Sequence, residues 1–359
     1  MRILFVLEYY YPHIGGVEKL FKLLCEQLVV NGHEVTVLTN RYKIDLPKRE
    51  IIKGVEVRRL GFYNRYLFTF FSLPIVWSYA GKSDVIHTTS YNAAFPAYFA
   101  ARLRKKPVYI TFHEAWGKLW FQLPFISKVS SFLFYHYERF ILQLPFTRFI
   151  AVSDYTASSL IEQGVNPDRV IRIYNGIEYD SFPAKSQKRN TGFTFMYFGR
   201  LGASKGLDLL IPAAIRFLKS NPDAKFKLVV PKEKNRILKY VQQSLLESNV
   251  FSQVEILHEL KRDELFDEIG SAHCVVIPSY SEGFCFAATE TIALGTPLIS
   301  SDQGALKEVV SGKFIKMDSH DQKGLLKALY AAKEDRWNNT TVKKFELHDC
   351  IKQYLNFYS

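Results

Sequence analysis

Two glutamates, Glu282 and Glu290, stand eight residues apart in the stretch SEGFCFAATE. Gly295 and Pro297 act as stop signals and predict a helix over 286–294. On that helix the neighbours of Glu290 at three and four positions are Phe286, Ala287, Ala293 and Leu294, all apolar. A carboxylate in an apolar stripe is costly unless something pairs with it. If Glu282 were helical as well, the two would lie about 12 Å apart along the axis and about 80° around it. They could not share one proton or one metal. They could hold opposite ends of an elongated ligand, with the N–H groups from Gly283 through Phe284 and Cys285 to Phe286 facing a phosphate between them.

A second set of residues suits the same ligand. Gly199-Arg200-Leu201-Gly202-Ala203-Ser204-Lys205-Gly206 places two cations in a glycine-bearing loop just before an apolar helix. Arg200 can give forked hydrogen bonds to a diphosphate and Lys205 a point charge. GxxxxGK[ST] is absent, so this is no Walker loop. Near the N-terminus Gly15 and Gly16 open a helix after the first strand, a turn whose N–H groups can meet an anion. A nicotinamide-binding domain would put GxGxxG there and an acid at the end of the second strand. The chain has instead Thr39-Asn40-Arg41, which argues against a dehydrogenase. His113 directly follows a predicted strand and so points to chemistry rather than to packing.

These residues need strands and helices to position them, and the two alternate almost from end to end. Strands are predicted over 2–7, 34–39, 84–89, 107–112 and 148–152, then 193–198, 226–230, 254–257, 273–278 and 297–300. Val17, Leu20, Phe21, Leu24 and Leu28 give the first helix its apolar stripe, and Pro212 is awkward inside a later one. The polar stretch 184–192 reads as a linker. The expected architecture is α/β, with two doubly wound Rossmann-like domains facing a central cleft and ligands beyond the carboxyl ends of the strands.

The chain has 359 residues, 48% hydrophobic and 23% charged, which suits a globular protein with ample core. Its formal net charge of +12 calls for anionic partners, yet no nucleic-acid module is recognisable. Four scattered cysteines show neither zinc nor disulfide spacing. Residues 62–79 (FYNRYLFTFFSLPIVWSY) are aromatic enough to touch a membrane, but Asn64, Arg65 and Pro74 suit them poorly to crossing one. The reading adopted for this stretch is packing inside its own domain. Basic residues mixed with aromatics in the first half, as in Arg58-Arg59, Arg65-Tyr66, 102–106 and 116–125, suit an anionic leaflet and predict reversible attachment to the cytoplasmic face.

Together these motifs resemble the GT-B retaining glycosyltransferases of family 4. The resemblance rests on YFGRLGASKG and on the block PSYSEGFCFAATETIALGTPLISSDQGALKEVV with its Glu-x7-Glu. In the first half it rests on IGGVEK, DVIHTTS, TFHE and IAVSDYTASSLIEQGVNPDRVIRIYNGIE. It implies an acceptor domain over 1–183, a nucleotide-sugar domain over 193–338 and a C-terminal segment, 339–359, that crosses back to the first. Glu290 would hold the ribose hydroxyls, Arg200 and Lys205 the diphosphate, Glu282 the donor sugar, and His113 would sit at the transferred sugar. Gly15 and Gly16 would line the cleft near the phosphates and acceptor.

The implied activity is retaining transfer of a hexose-type sugar to a lipid-linked or polysaccharide acceptor in cell-surface glycan synthesis, lipopolysaccharide included. The leaving phosphate would help take the acceptor's proton, and neither metal nor cofactor is expected, since no DxD is found. A nucleotide-sugar epimerase and a non-catalytic sugar-binding member are the alternatives. The family commonly has Gly where Cys285 stands, and glycine turns where this chain has Pro231-Lys232-Glu233 and His258-Glu259. The last two loops border the base, so a UDP-sugar is read first as donor and GDP-mannose second.

Overall fold

The computed structural model describes residues 1–13, 15–62, 64–183, 191–232 and 235–358. Of the predicted linker, 184–190 lie outside the described residues, as does Glu233. The chain forms two compact units. One comprises Met1–Gly117, Leu133–Gly176 and Leu347–Ser359, and the other Lys118–Phe132 and Ile177–Glu346.

The first unit contains β1 (Arg2–Leu7), α1 (Gly16–Val30), β2 (Glu34–Asn40), β3 (Arg49–Ile52), β4 (Val55–Leu60), α2 (Arg65–Phe71), α3 (Leu73–Ala80), β5 (Val85–Thr89), α4 (Ala94–Leu103) and β6 (Val108–Phe112). It continues through α5 (Lys128–Gln143), whose first turns fall in the other unit, β7 (Arg148–Ala151), α6 (Asp154–Glu162) and β8 (Val170–Arg172). The strand order is β3-β4-β2-β1-β5-β6-β7-β8, and only the β3–β4 pair is antiparallel. Strand β1 is buried from Ile3 to Leu7, as a strand covered on both faces must be. Helix α1 buries Leu20, Phe21, Leu24 and Leu28, one face of a 3.6-residue period.

The reading that residues 62–79 pack inside the domain needs correction. Helix α2 starts at Asn64, whose side chain accepts from the N–H groups of Tyr66 and Leu67, both at 3.0 Å. Phe68, Thr69, Val76 and Ala80 are buried, but Phe70 is 55% exposed and Phe71 63%. The cause lies in the short sequence RYLFTFF, which is apolar nearly all round; one helix face rests on the core and the other has nothing of its own domain to cover it.

The second unit holds β9 (Thr194–Phe198), α7 (Leu207–Ser220), β10 (Lys225–Val229), α8 (Arg236–Leu246), β11 (Val254–Leu257), α9 (Arg262–Ser271) and β12 (Cys274–Ile277). After these come α10 (Phe286–Ala293), β13 (Leu298–Ser300), α11 (Leu306–Val309), β14 (Lys313–Lys316), α12 (Gln322–Lys333) and β15 (Asn338–Asn339). The order is β11-β10-β9-β12-β13-β14-β15, with only β14–β15 antiparallel. Helix α7 runs through Pro212. The missing N–H leaves the Asp208 carbonyl without its helical donor, and Gln322 Nε2 approaches that oxygen at 3.4 Å.

The last helix, α13 (Leu347–Tyr358), belongs to the first unit. It buries Leu347, Cys350, Ile351, Tyr354 and Tyr358 along one face. Its two tyrosines end in a buried polar network. Tyr354 Oη lies 3.2 Å from Thr111 Oγ1, His87 Nε2 lies 2.8 Å from the same oxygen, and His87 Nδ1 pairs with the Tyr358 hydroxyl. Burial lowers the His87 imidazole to about 3, with His113 adding a smaller push in the same direction.

Candidate active site

In the second unit β9 is flanked by β10 on one side and β12 on the other, so the order of winding reverses at this pair. Ligands of doubly wound sheets bind at such a reversal, beyond the carboxyl ends of the strands. The loops leaving those ends are 199–206 and 278–285. Tyr280 N donates to Ser204 O at 2.7 Å, tying one loop to the other. Gly206 starts α7 at φ 69°, and a Cβ there would fall 2.1 Å from Pro278 O, so the approach of the two loops requires glycine.

These two loops bring Lys205 and Glu282 together across 77 residues of sequence. Lys205 Nζ donates to both Glu282 oxygens, at 2.8 and 2.9 Å. Ser279 Oγ donates to Glu282 Oε1 at 2.6 Å. Glu282 is buried, and its carbonyl accepts from Ala305 N at 2.8 Å. Tyr197, at the end of β9, donates its hydroxyl to Arg200 O at 3.0 Å. Burial raises the Tyr197 phenol above its ordinary range, and Lys205, Glu282, Cys285 and Arg200 all lie close enough to act on it. The residues predicted to meet a diphosphate and sugar thus gather around one buried tyrosine, with the Arg200 side chain exposed to solvent.

Glu282 is not helical, so the spacing of two carboxylates on one helix does not apply. It sits in the turn before α10, while Glu290 is half-buried within α10. Cys285 caps the helix at φ 71°, in the left-handed region that favours glycine. That conformation is the physical reason a glycine suits the position. Gly283 and Phe284 are buried, and Phe284 packs edge-on to Phe286 and Phe345 at 5.3 and 5.2 Å.

In the first unit Gly15 precedes α1 with extended backbone, φ 178°, and Gly16 is the first helical residue. A Cβ on Gly15 would lie 2.1 Å from Glu18 Oε2, and Glu18 Oε1 is 2.8 Å from His13 Nδ1. Smallness at Gly15 therefore leaves room for the Glu18–His13 pair. His113 leaves the end of β6 half-buried, its ring edge-on to Phe21 of α1 at 6.3 Å. Among the described residues no cluster of three His, Cys, Asp or Glu side chains could hold a metal ion.

Ser279, Tyr197 and Gly304 were not singled out from the sequence. Ser279 lies three residues before Glu282, a readable spacing for a side chain that returns to the turn. Gly304 gave no comparable signal; it matters because a Cβ there would meet Glu282 O at 2.5 Å and Glu282 N at 2.8 Å.

Two parallel-centred sheets, each in its own compact unit, define the chain as a two-unit doubly wound α/β protein. The profile of Glycosyltransferase Family 4 matches residues 14–181, and that of Glycosyl transferases group 1 matches 178–346. An uncharacterized glycosyltransferase of Methanocaldococcus jannaschii is 30% identical over 336 residues, covering 86% of this chain and 83% of that protein. A phosphatidylinositol N-acetylglucosaminyltransferase subunit of Homo sapiens is 25% identical over 363 residues, covering 98% and 72%. Sucrose-phosphate synthase of Thermosynechococcus elongatus shares the fold at a TM-score of 0.81 and 19% identity, over 100% of this chain and 98% of that one. The chain belongs to glycosyltransferase family 4.

Proposed function

We propose that this protein transfers a hexose-type sugar from a nucleotide diphosphate sugar to a lipid-linked or polysaccharide acceptor, with retention at the anomeric carbon. The observation that carries this reading is the pairing of Lys205 with Glu282 beside Arg200 in two loops held together at a sheet reversal. Breaking the bond from the anomeric carbon to the diphosphate leaves positive charge on the sugar and negative charge on the leaving group. Fixed cations and N–H dipoles at the phosphate lower that barrier without a metal. The acceptor oxygen forms the new bond to the same carbon, and its proton passes to the departing diphosphate. Lys205 would turn from Glu282 toward the phosphates, and Glu282 toward the sugar hydroxyls. Glu290 would hold the ribose, and His113, Gly15 and Gly16 would serve the transferred sugar and acceptor.

A lipid acceptor is favoured by the human relative, whose name couples N-acetylglucosamine transfer to phosphatidylinositol. A UDP-sugar is the first choice of donor and GDP-mannose the second. The test is incubation with a panel of nucleotide sugars, reading nucleotide release and epimer formation, alongside thermal shifts with UDP, GDP and ADP. Slow nucleotide release without epimer, unchanged by a chelator, is the expected result. Epimer formation would identify an epimerase, and no turnover with any donor would favour a non-catalytic member.

A further inference from the structure

Helices α2, α3, α4 and α5 each leave a large apolar side chain exposed on the first unit. Phe70 of α2 meets Phe95 of α4 edge-on at 5.6 Å, and Phe95 reaches Phe140 of α5 at 6.5 Å. Leu133 lies two turns before Phe140 and is 59% exposed. At the end of α4, Leu103 is 65% exposed, and the next residue, Arg104, places its guanidinium 3.7 Å from the centre of the exposed Trp77 ring of α3. Large apolar side chains exposed in this number, with Phe70 and Phe140 joined through Phe95, exceed the scattered exposure of an ordinary surface.

Charge identifies what covers this face. Residues 61–112 carry six cations, Arg65, Lys82, Arg102, Arg104, Lys105 and Lys106, and one carboxylate, Asp84. That carboxylate is bound by Arg2 at 2.9 Å and Arg65 lies 3.3 Å from Glu8, so the positive charge the segment presents beside its aromatic side chains is that of Lys82, Arg102, Arg104, Lys105 and Lys106. A tryptophan capped by arginine at the edge of an apolar face matches the level where headgroups meet acyl chains. No helix among the described residues is long and apolar enough to cross a membrane, which leaves contact in the plane of the interface.

We propose that the face built by Phe70, Phe71, Trp77, Leu103, Leu133 and Phe140 docks on an anionic lipid bilayer, with the cations around α4 on its headgroups. This deepens the lipid-acceptor reading, because the acceptor is then met at the surface to which the enzyme is bound. The test is co-sedimentation with vesicles of phosphatidylcholine alone and of phosphatidylcholine mixed with phosphatidylglycerol, at low and high salt. Wild-type protein binds the anionic vesicles and is released by salt. Phe70→Ser with Phe71→Ser weakens that binding about tenfold or more. Arg102→Gln with Lys105→Gln and Lys106→Gln removes the preference for anionic lipid.

Thermal midpoints report that each variant stays folded. Nucleotide release from a sugar donor in solution is unchanged, which separates failure of docking from failure of the enzymatic reading. Vesicle binding that neither variant alters, or folded wild-type protein that binds no vesicles, overturns the proposal. So does self-association that the serine variant abolishes in ultracentrifugation while vesicles recover nothing, which would make the face an interface between copies.

Discussion

At Glu290 and Cys285 one residue type each is set against its surroundings. Glu290 is a half-buried carboxylate on a helix whose other side packs Ala288, Thr289 and Ile292. In the proposed role, as a ligand for ribose hydroxyls, it would contribute charge-assisted hydrogen bonds worth about 1.5–3 kcal/mol. Glu290→Ala is therefore expected to weaken UDP binding by about ten- to a hundredfold in calorimetry. Unaltered affinity and transfer would make Glu290 a surface residue. Cys285 holds φ 71° without being glycine. Cys285→Gly relieves that conformation at some cost in unfolded-chain entropy, so stability should stay within about 1 kcal/mol of wild type. Cys285→Val puts a β-branched side chain into the left-handed region, and a loss of about 1–3 kcal/mol is expected in denaturant unfolding.

The elements act through the closeness of their loops. The turn before α10 is held on one side by the loop ahead of α7 and on the other by Gly304 ahead of α11. Gly304→Ala would drive a Cβ into the Glu282 backbone from a position already at φ 63°. Displacement of a reacting group by about 1 Å can cost about a hundredfold in rate. The expected outcome is a fall of that order in kcat/KM for sugar transfer, with far-ultraviolet dichroism unchanged. A variant as active as wild type would show that the turn does not need this buttress.

At the scale of the whole chain, the first unit is closed by its most distant segment. Helix α13 returns about 240 residues after β6 to meet His87 and Thr111. His87 stays neutral in the fold down to about pH 3, while a free imidazole protonates near 6.5. The unfolded chain therefore takes up the proton first as acid is added. The stability this site contributes is whole above pH 6.5 and is lost as pH falls from there toward 3. By about pH 5 the loss is about 2 kcal/mol. Urea unfolding of the wild type should show it, and His87→Gln should flatten the dependence over this range; parallel curves would refute the assignment.

Periodicity and spacing made the alternation of strands and helices legible, because a buried parallel strand and a one-sided helix each leave an apolar pattern in the order of the residues. The strands β3, β4, β8, β14 and β15 escaped, since so few apolar residues among charged and polar ones carry little signal. Arg200, Lys205, Glu282 and Glu290 were readable as candidates because polar residues stand out at glycine turns and in an apolar helix. The tertiary structure alone decided that Lys205 and Glu282 pair, that Ser279 and Gly304 hold the turn, and that α2 leaves Phe70 and Phe71 outside. Those outcomes depend on which loops a sheet reversal brings side by side and which helix face the core covers. Such long-range contacts are determined by the folded chain as a whole.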